Sequence, residues 1–406
     1  MAEAVIVAAA RSPIGRAFKG SLRELRPDDL AATIVRAALD KVPQLDPADI
    51  DDLILGCGLP GGEAGFNMGR VVSVLLGYDH LPGTTITRYC ASSLQTTRMA
   101  MHAIRAGEGE VFVSAGVEAV SRHVKGSSDS LPDTFNPLFD EARARTGKAA
   151  EGGRDSWHDP RTDGVLPDAY MAMGQTAENV AQLRGISRAE QDQFGVRSQN
   201  FAEQAIKTGF YAREITPVTL PDGTVVDRDD GPRPGVTLEA VAGLKPVFRP
   251  DGTVTAGNCC SLNDGAAAVV VMSDRKARDL GIQPLARIVS TAVSALSPEL
   301  MGLGPVEASR RALRLAGMSI NDVDLVEINE AFAAQVIPSY RELCIDIDRL
   351  NVHGGAIALG HPYGMTGARI TTTLLNGLVA RDKTIGLETM CVGGGQGMAM
   401  VIERLS

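Results

Sequence analysis

Four residues of this 406-residue chain have the chemistry to pass an acyl group between partners: Cys90, His361, Cys391 and Asn329. The run Gly83-Thr84-Thr85-Ile86-Thr87-Arg88-Tyr89-Cys90 is β-branched and extended, whereas residues 91–106 are mostly helix formers and Gly107 supplies a stop. The spacing predicts a strand that turns at Cys90 into the N-terminus of a helix. A thiol there meets the positive end of the helix dipole and unpaired backbone N–H groups, which favour the thiolate. A lone cysteine is more commonly a small buried hydrophobe, so its neighbours must decide.

His361 lies in Gly354-Gly355-Ala356-Ile357-Ala358-Leu359-Gly360-His361-Pro362-Tyr363-Gly364, on a turn with no apolar face of its own. Cys391 leads a glycine-rich turn, Gly393-Gly394-Gly395-Gln396-Gly397. That turn is no dinucleotide fingerprint, because the nine residues after Gly397 leave no room for a βαβ unit. In Glu327-Ile328-Asn329-Glu330-Ala331-Phe332 a polar pair stands at the expected C-terminal end of a strand, where α/β sheets place their sites. Together these residues suit acyl transfer. One thiolate attacks, a histidine takes its proton, a second acid/base serves the other partner, and fixed donors hold the oxyanion.

Strands and helices must alternate to place these groups. Val5–Ala10, Ile50–Gly56, Glu110–Ala115 and Ala266–Met272 read as strands. Helical spacing marks Asp28–Asp40, with Asp28 or Asp29 as cap, and Asn67–Leu76. From Arg122 to about Asp251 charges, Gly, Pro and Ser dominate, as in Lys125-Gly126-Ser127-Ser128-Asp129-Ser130. Helical patches interrupt this stretch at Ala172–Arg184 and Arg188–Thr208. The last third repeats the first: Ile50-Asp51-Asp52-Leu53-Ile54-Leu55 resembles Val323-Asp324-Leu325-Val326-Glu327-Ile328. Sliding by the same interval carries the Cys90 helix onto one starting near Met365, and Glu110–Ala115 onto Thr384–Glu388. An internal duplication of an α/β unit is the economical account.

The net charge of −9, with no long basic run, argues against a nucleic-acid partner. Six scattered cysteines without CxxC spacing suit a reducing cytosol and speak against a disulfide framework or a metal site. The first residues carry a Glu and too short an apolar run for a signal peptide, and no stretch approaches a membrane span. A cytoplasmic location is expected.

Taken together, Cys90-Ala91-Ser92, Asn329-Glu330-Ala331-Phe332, Asn351-Val352-His353-Gly354-Gly355 through Gly360-His361-Pro362, and Cys391-Val392-Gly393-Gly394-Gly395 resemble the thiolase family over nearly the whole chain. The resemblance implies α/β architecture: two βαβαβαββ halves in five layers, α-β-α-β-α. It divides the chain into an N-terminal half (1–120, continued by 252–284), an inserted loop domain over the coenzyme A site (121–251), and a C-terminal half (285–406). It implies cleavage of 3-ketoacyl-CoA through an acyl-Cys90 enzyme, reversible to Claisen condensation, in fatty-acid or related lipid degradation. Cys90 would be the nucleophile, His361 its activator and Cys391 the second acid/base. Asn329, through a water, would hold the enolate oxygen with His361, and the N–H groups of Cys90 and Gly393 would hold the other oxyanion. Coenzyme A, a substrate and not a resident cofactor, would meet Arg233, Phe248, Cys260, Met173 and Phe332. No metal is implied, and a homodimer or homotetramer is expected.

Three positions depart from the family pattern. Cys260 stands where Ser is frequent, His353 where Asn is frequent, and Ala172 where short-chain acetoacetyl-CoA thiolases have His. The alternatives are a biosynthetic acetoacetyl-CoA thiolase, a decarboxylating ketoacyl synthase, which calls for His in place of Cys391, and a non-catalytic acyl-CoA-binding subunit.

Overall fold

Apolar strands and Ala-rich helices alternate along the chain of the computed structural model, which describes residues 2–125, 131 and 133–406. The part of the polar stretch at 126–130 lies outside the described residues. In chain order the main elements of the first half are β1 (Ala4–Arg11), α1 (Pro27–Leu39), β2 (Asp52–Cys57), α2 (Met68–Leu75), β3 (Gly83–Ile86), α3 (Ser92–Ala106) and β4 (Val111–Ala119). Then come α4 (Asp140–Glu151), α5 (Met173–Arg184), α6 (Arg188–Lys207) and β5 (Asn263–Ser273). The second half holds β6 (Ala286–Ala295), α7 (Gly304–Ala316), β7 (Leu325–Ile328), α8 (Ala333–Glu342), α9 (Thr366–Ala380), β8 (Ile385–Val392) and β9 (Gln396–Arg404).

The strands run in the order β7-β8-β9-β6-β1-β5-β4-β2-β3. Two half-sheets meet where β1 pairs β6, by Val5↔Arg287 and Ile6↔Ala286 alone. Each half repeats one pattern: β2 is parallel to β4 and β4 antiparallel to β5, as β7 is parallel to β8 and β8 antiparallel to β9. The counterpart of β3 is reduced to a single bridge between Val326 and Leu350. Duplication read from sequence is thus a duplication of topology.

Helices α3 and α9 lie between the half-sheets, buried on nearly all sides. They approach so closely that a Cβ on Gly367 would stand 2.5 Å from the Leu94 nitrogen, and Ala368 N–H donates to Ser93 Oγ at 2.9 Å. Outside the first half-sheet, α1 buries Leu30, Ile34, Val35 and Ala38; outside the second, α7 buries Val306, Ala308, Ala312 and Leu313. Each fully buried Leu or Ile contributes roughly 1.5–3 kcal/mol, and three apolar clusters fill the spaces between the layers.

Two local expectations fail. Asp28 and Asp29 do not cap α1; Pro27 opens the helix and both acids sit in its first turn, favoured by the dipole. Helix α4 was not anticipated, because Gly147 interrupts Asp140–Glu151 and Ala142 is its one buried residue, so no apolar stripe marks it.

Candidate active site

Strand β3 ends at Ile86, a single 3-10 turn (Tyr89–Ala91) follows, and α3 begins at Ser92. Cys90 therefore sits at the strand-to-helix turn that its sequence predicts, with Gly107 closing α3 at φ +76°. The second half repeats the turn: Tyr363–Met365 precedes α9 as Tyr89–Ala91 precedes α3. His361 lies two residues before that second turn. Gly360 ahead of it has φ +110° and packs where a Cβ would meet the Asn263 side chain at 2.5 Å, so only glycine fits.

His361 is 2% exposed and tightly oriented. Its backbone N–H donates to Asn263 Oδ1 at 2.9 Å, and its Nδ1 lies 2.6 Å from Thr366 Oγ1. With the Thr366 hydroxyl hydrogen directed to the Pro362 carbonyl at 3.1 Å, Nδ1 is assigned as the donor to Thr366. The lone pair is left on Nε2, 3.3 Å from Asn329 Nδ2. Asn329 follows β7 directly; its N–H donates to the Thr389 carbonyl, and its buried Oδ1 has no partner among the described residues. The neighbouring Glu330 faces away, accepting Ser198 Oγ at 2.6 Å, Asn351 Nδ2 at 2.8 Å and Ile357 N–H at 3.1 Å. Gly355 is required beside it, since a Cβ there would stand 2.3 Å from the carboxyl carbon. Glu330 fixes the loops that carry the site.

Cys391 is the penultimate residue of β8, and Gly393 opens the turn after it. The Gly393 backbone N–H acts on the Cys90 thiol, favouring its ionised form, and Gly393 packs under the Tyr89 ring, with space for a Cβ only at 3.3 Å. Arg88 Nη1 donates to Gln396 Oε1 at 2.7 Å and Gln396 Nε2 to the Gly393 carbonyl at 3.2 Å, so the glycine turn is held from both ends. Burial pushes the Cys90 thiol up to about 12, and the Glu118 charge adds to this; the Gly393 N–H opposes it. Desolvation thus opposes the backbone N–H groups at the turn, which favour the thiolate. Burial also raises Cys391, with Cys90 as a second cause, and lowers His361 to about 3, with Arg369 adding. These shifts all favour the uncharged forms, two thiols and a neutral imidazole.

Cys260 joins the same centre. Its N–H donates to the Ala331 carbonyl at 3.0 Å, and burial first, then the neighbouring Cys259, Cys90 and Cys391, raise its thiol. Phe332 and Phe248 meet edge to face at 6.2 Å, and Met173 opens α5 beside Gly174, which lies against the Phe248 ring. Arg233 stands apart, exposed, with its N–H on Gln199 Oε1 at 2.9 Å. His353 has no part in the centre: it stacks on Phe210 at 3.7 Å. Thr366, Asn263 and Glu118 were missed from the sequence. Only the position of Thr366, five residues after His361 at the start of α9, could have pointed to it.

A buried cysteine at a strand-to-helix turn, a histidine and a second thiol, set in a duplicated α/β fold, are the groups that an acyl-transferring enzyme needs. The comparisons narrow this. The families described as "Thiolase, N-terminal domain" and "Thiolase, C-terminal domain" match residues 4–275 and 282–404. A 3-ketoacyl-CoA thiolase of Bacillus subtilis (strain 168) is 41% identical over 416 residues, spanning 99% of this chain and 100% of the relative. A 3-oxoadipyl-CoA/3-oxo-5,6-dehydrosuberyl-CoA thiolase of Escherichia coli (strain K12) is 43% identical over 418 residues, spanning 100% of both. The crystal structure of a Bacillus anthracis acetyl-CoA acetyltransferase superposes with a TM-score of 0.85 at 39% identity, over 100% of this chain and 99% of that one. The chain belongs to the thiolase family, and it is an acyltransferase. No described helix is long and apolar enough to cross a membrane.

Proposed function

We propose that this thiolase cleaves 3-ketoacyl-CoA by a ping-pong route through an acyl-Cys90 intermediate. The Cys90 sulfur attacks the C3 carbonyl while its proton passes to His361 Nε2. The oxyanion is held by the N–H groups of Cys90 and Gly393. The C2–C3 bond breaks, and the enolate of acetyl-CoA, held by His361 and by Asn329 through a water, takes its proton from Cys391. Cys391 then deprotonates incoming coenzyme A, whose thiolate displaces Cys90 and carries the acyl group away. The one observation that carries this reading is the Thr366–His361–Asn329 chain. It orients the imidazole, with Nε2 toward Asn329, in a buried centre shared with Cys90 and Cys391. Run backwards, the steps give Claisen condensation.

Coenzyme A would lie along Arg233, Met173, Phe248, Phe332 and Cys260, beneath the inserted unit 121–251. Residues 1–120 with 252–284, and 285–406, would form the two halves. Ala172 is exposed at the start of α5 and is not packed into the core, which favours an acyl pocket with room beyond acetoacetyl. The proposed use is degradative, on fatty or related acyl chains, in the cytoplasm. A homodimer or homotetramer is proposed on the open edge of β3, rimmed by exposed Phe66, Val74 and Leu75. A ketoacyl synthase is disfavoured by Cys391, and a silent subunit by two thiols in one centre. Turnover of a 3-ketoacyl-CoA panel with free coenzyme A tests the reading; binding without cleavage of any member would sink it.

A further inference from the structure

Glu118 is the penultimate residue of β4, is 1% exposed, and has no Lys or Arg partner among the described residues. Its carboxylate instead gathers backbone: Gly58 N–H at 2.7 Å, Leu59 N–H at 3.2 Å and Gly364 N–H at 2.9 Å. Cys57 Sγ lies 3.7 Å away and His123 Nε2 3.4 Å away. The duplication shows what is unusual here. Strands β4 and β8 start alike, with Asp51 and Asp324 each accepting two N–H groups at the strand entry. Counted from there, Glu118 holds the place of Val392, next to Gly393, and Gly364 holds the place of Cys90. Where the second half sends a backbone N–H to the nucleophile, the first sends a carboxylate to the nucleophile's counterpart.

Gly364 cannot yield: a Cβ there would lie 2.5 Å from the Val117 carbonyl oxygen and 2.7 Å from that of Gly56. Gly58 is as confined, 2.7 Å from Glu118 Oε2 and 2.8 Å from Tyr363 Cβ. The carboxylate thus ties the end of β2 to the turn that follows His361.

We propose that Glu118 is a positioning residue of the active centre, clamping the Gly58 and Gly364 turns together so that His361 stays in register with Cys90. The inference rests on Cys90 and His361 being the reacting pair. A carboxylate is the one side chain with two oxygens free to accept from three donors and no hydrogen to oppose them. Its charge has a second effect, since it disfavours the Cys90 thiolate. The other groups facing it are Cys57 from β2 and His123 from the segment after β4. His361 is faced in turn by Arg369 of α9.

The test is Glu118→Gln in the full-length enzyme, read by kcat, KM for coenzyme A, and the rate of Cys90 alkylation by iodoacetamide against pH. The amide must turn a donor toward at least one fixed N–H group, Leu59 at Oε1 or Gly58 and Gly364 at Oε2, so kcat should fall on the order of 10²-fold with KM little changed. Alkylation at a given pH should become faster, because the opposing charge is gone. Parental kcat, or turnover and alkylation slowed in proportion, would overturn the proposal. If the variant does not fold, Gly58→Ala, which presses on the same clamp, should lower kcat and leave the alkylation profile in place; parental kcat there overturns it too. Failure of substrate to acylate Cys90 in the unmodified enzyme would instead count against the reacting pair.

Discussion

Thr366 Oγ1 lies 2.6 Å from His361 Nδ1, and this contact decides which ring nitrogen can serve as base. A hydroxyl already committed to the Pro362 carbonyl can only accept from the ring. Thr366→Val keeps the shape and removes the acceptor. The imidazole then loses its preferred tautomer and its tether, and kcat should fall by up to ~10²-fold. The melting temperature should drop only modestly, since one hydrogen bond is worth about 1 kcal/mol. Parental kcat would show that the tautomer is set elsewhere.

Cys391→Ser separates the two thiols by role. Acyl transfer onto Cys90 should persist slowly, while overall thiolysis and condensation fall by ~10²–10⁴-fold, the usual cost of a lost acid/base. Near-parental turnover in steady-state assays would leave Cys391 as a packing residue at the end of β8.

Gly393→Ala probes the proposed oxyanion site. The new methyl would meet the Tyr89 ring at 3.3 Å, and the N–H that acts on the Cys90 thiol must shift with the turn. Loss of one such donor costs about 10²–10³ in kcat. Unchanged kcat would remove Gly393 from that role.

These residues also show how far the sequence carries. The Cys90 turn was legible because β-branched residues give way to helix formers at one point, and Gly107 marks the stop. The duplicated topology was legible because Asp51-Asp52-Leu53 and Asp324-Leu325-Val326 open equivalent strands. Thr366 and Glu118 were not, because each acts through partners that only folding supplies; Glu118 and Gly364 lie 246 residues apart. The desolvation that acts on Cys90 was not legible for a related reason. A helix terminus is visible in sequence, whereas the desolvation that opposes it depends on the layers packed around it.

Glu327 and Glu388 are paired across β7 and β8, and burial pushes both carboxyls up to about 8. Between their ordinary value of 4.5 and about 8 they hold protons in the folded chain that the unfolded chain has lost. Their contribution is therefore full at low pH and is lost as pH rises through that window, by about 1.4 kcal/mol per pH unit per proton. Glu388→Gln removes one of the two protons from this balance. Its denaturation midpoint should decline less than the parent's between about pH 6 and pH 8. Parallel declines would mean that Glu388 is ionised in the fold.

Substrate size turns on Ala172. Each added methylene is worth about 0.8 kcal/mol if there is room to bury it, so ketooctanoyl-CoA should be cleaved at least as well as acetoacetyl-CoA. Ala172→His should move the preference toward acetoacetyl-CoA. A strong acetoacetyl preference in the parent, or no movement in the variant, would place the length determinant elsewhere.

The central claim is that Cys90 carries the acyl group, and trapping that intermediate tests it most directly. The protein would be mixed briefly with a 3-ketoacyl-CoA in the absence of free coenzyme A, then quenched, digested and analysed by mass spectrometry. The account predicts one acyl group, shortened by two carbons, on the peptide containing Cys90, released when coenzyme A is added. Label on Cys391 or Cys260 instead, or no label in an enzyme that turns over, would contradict it.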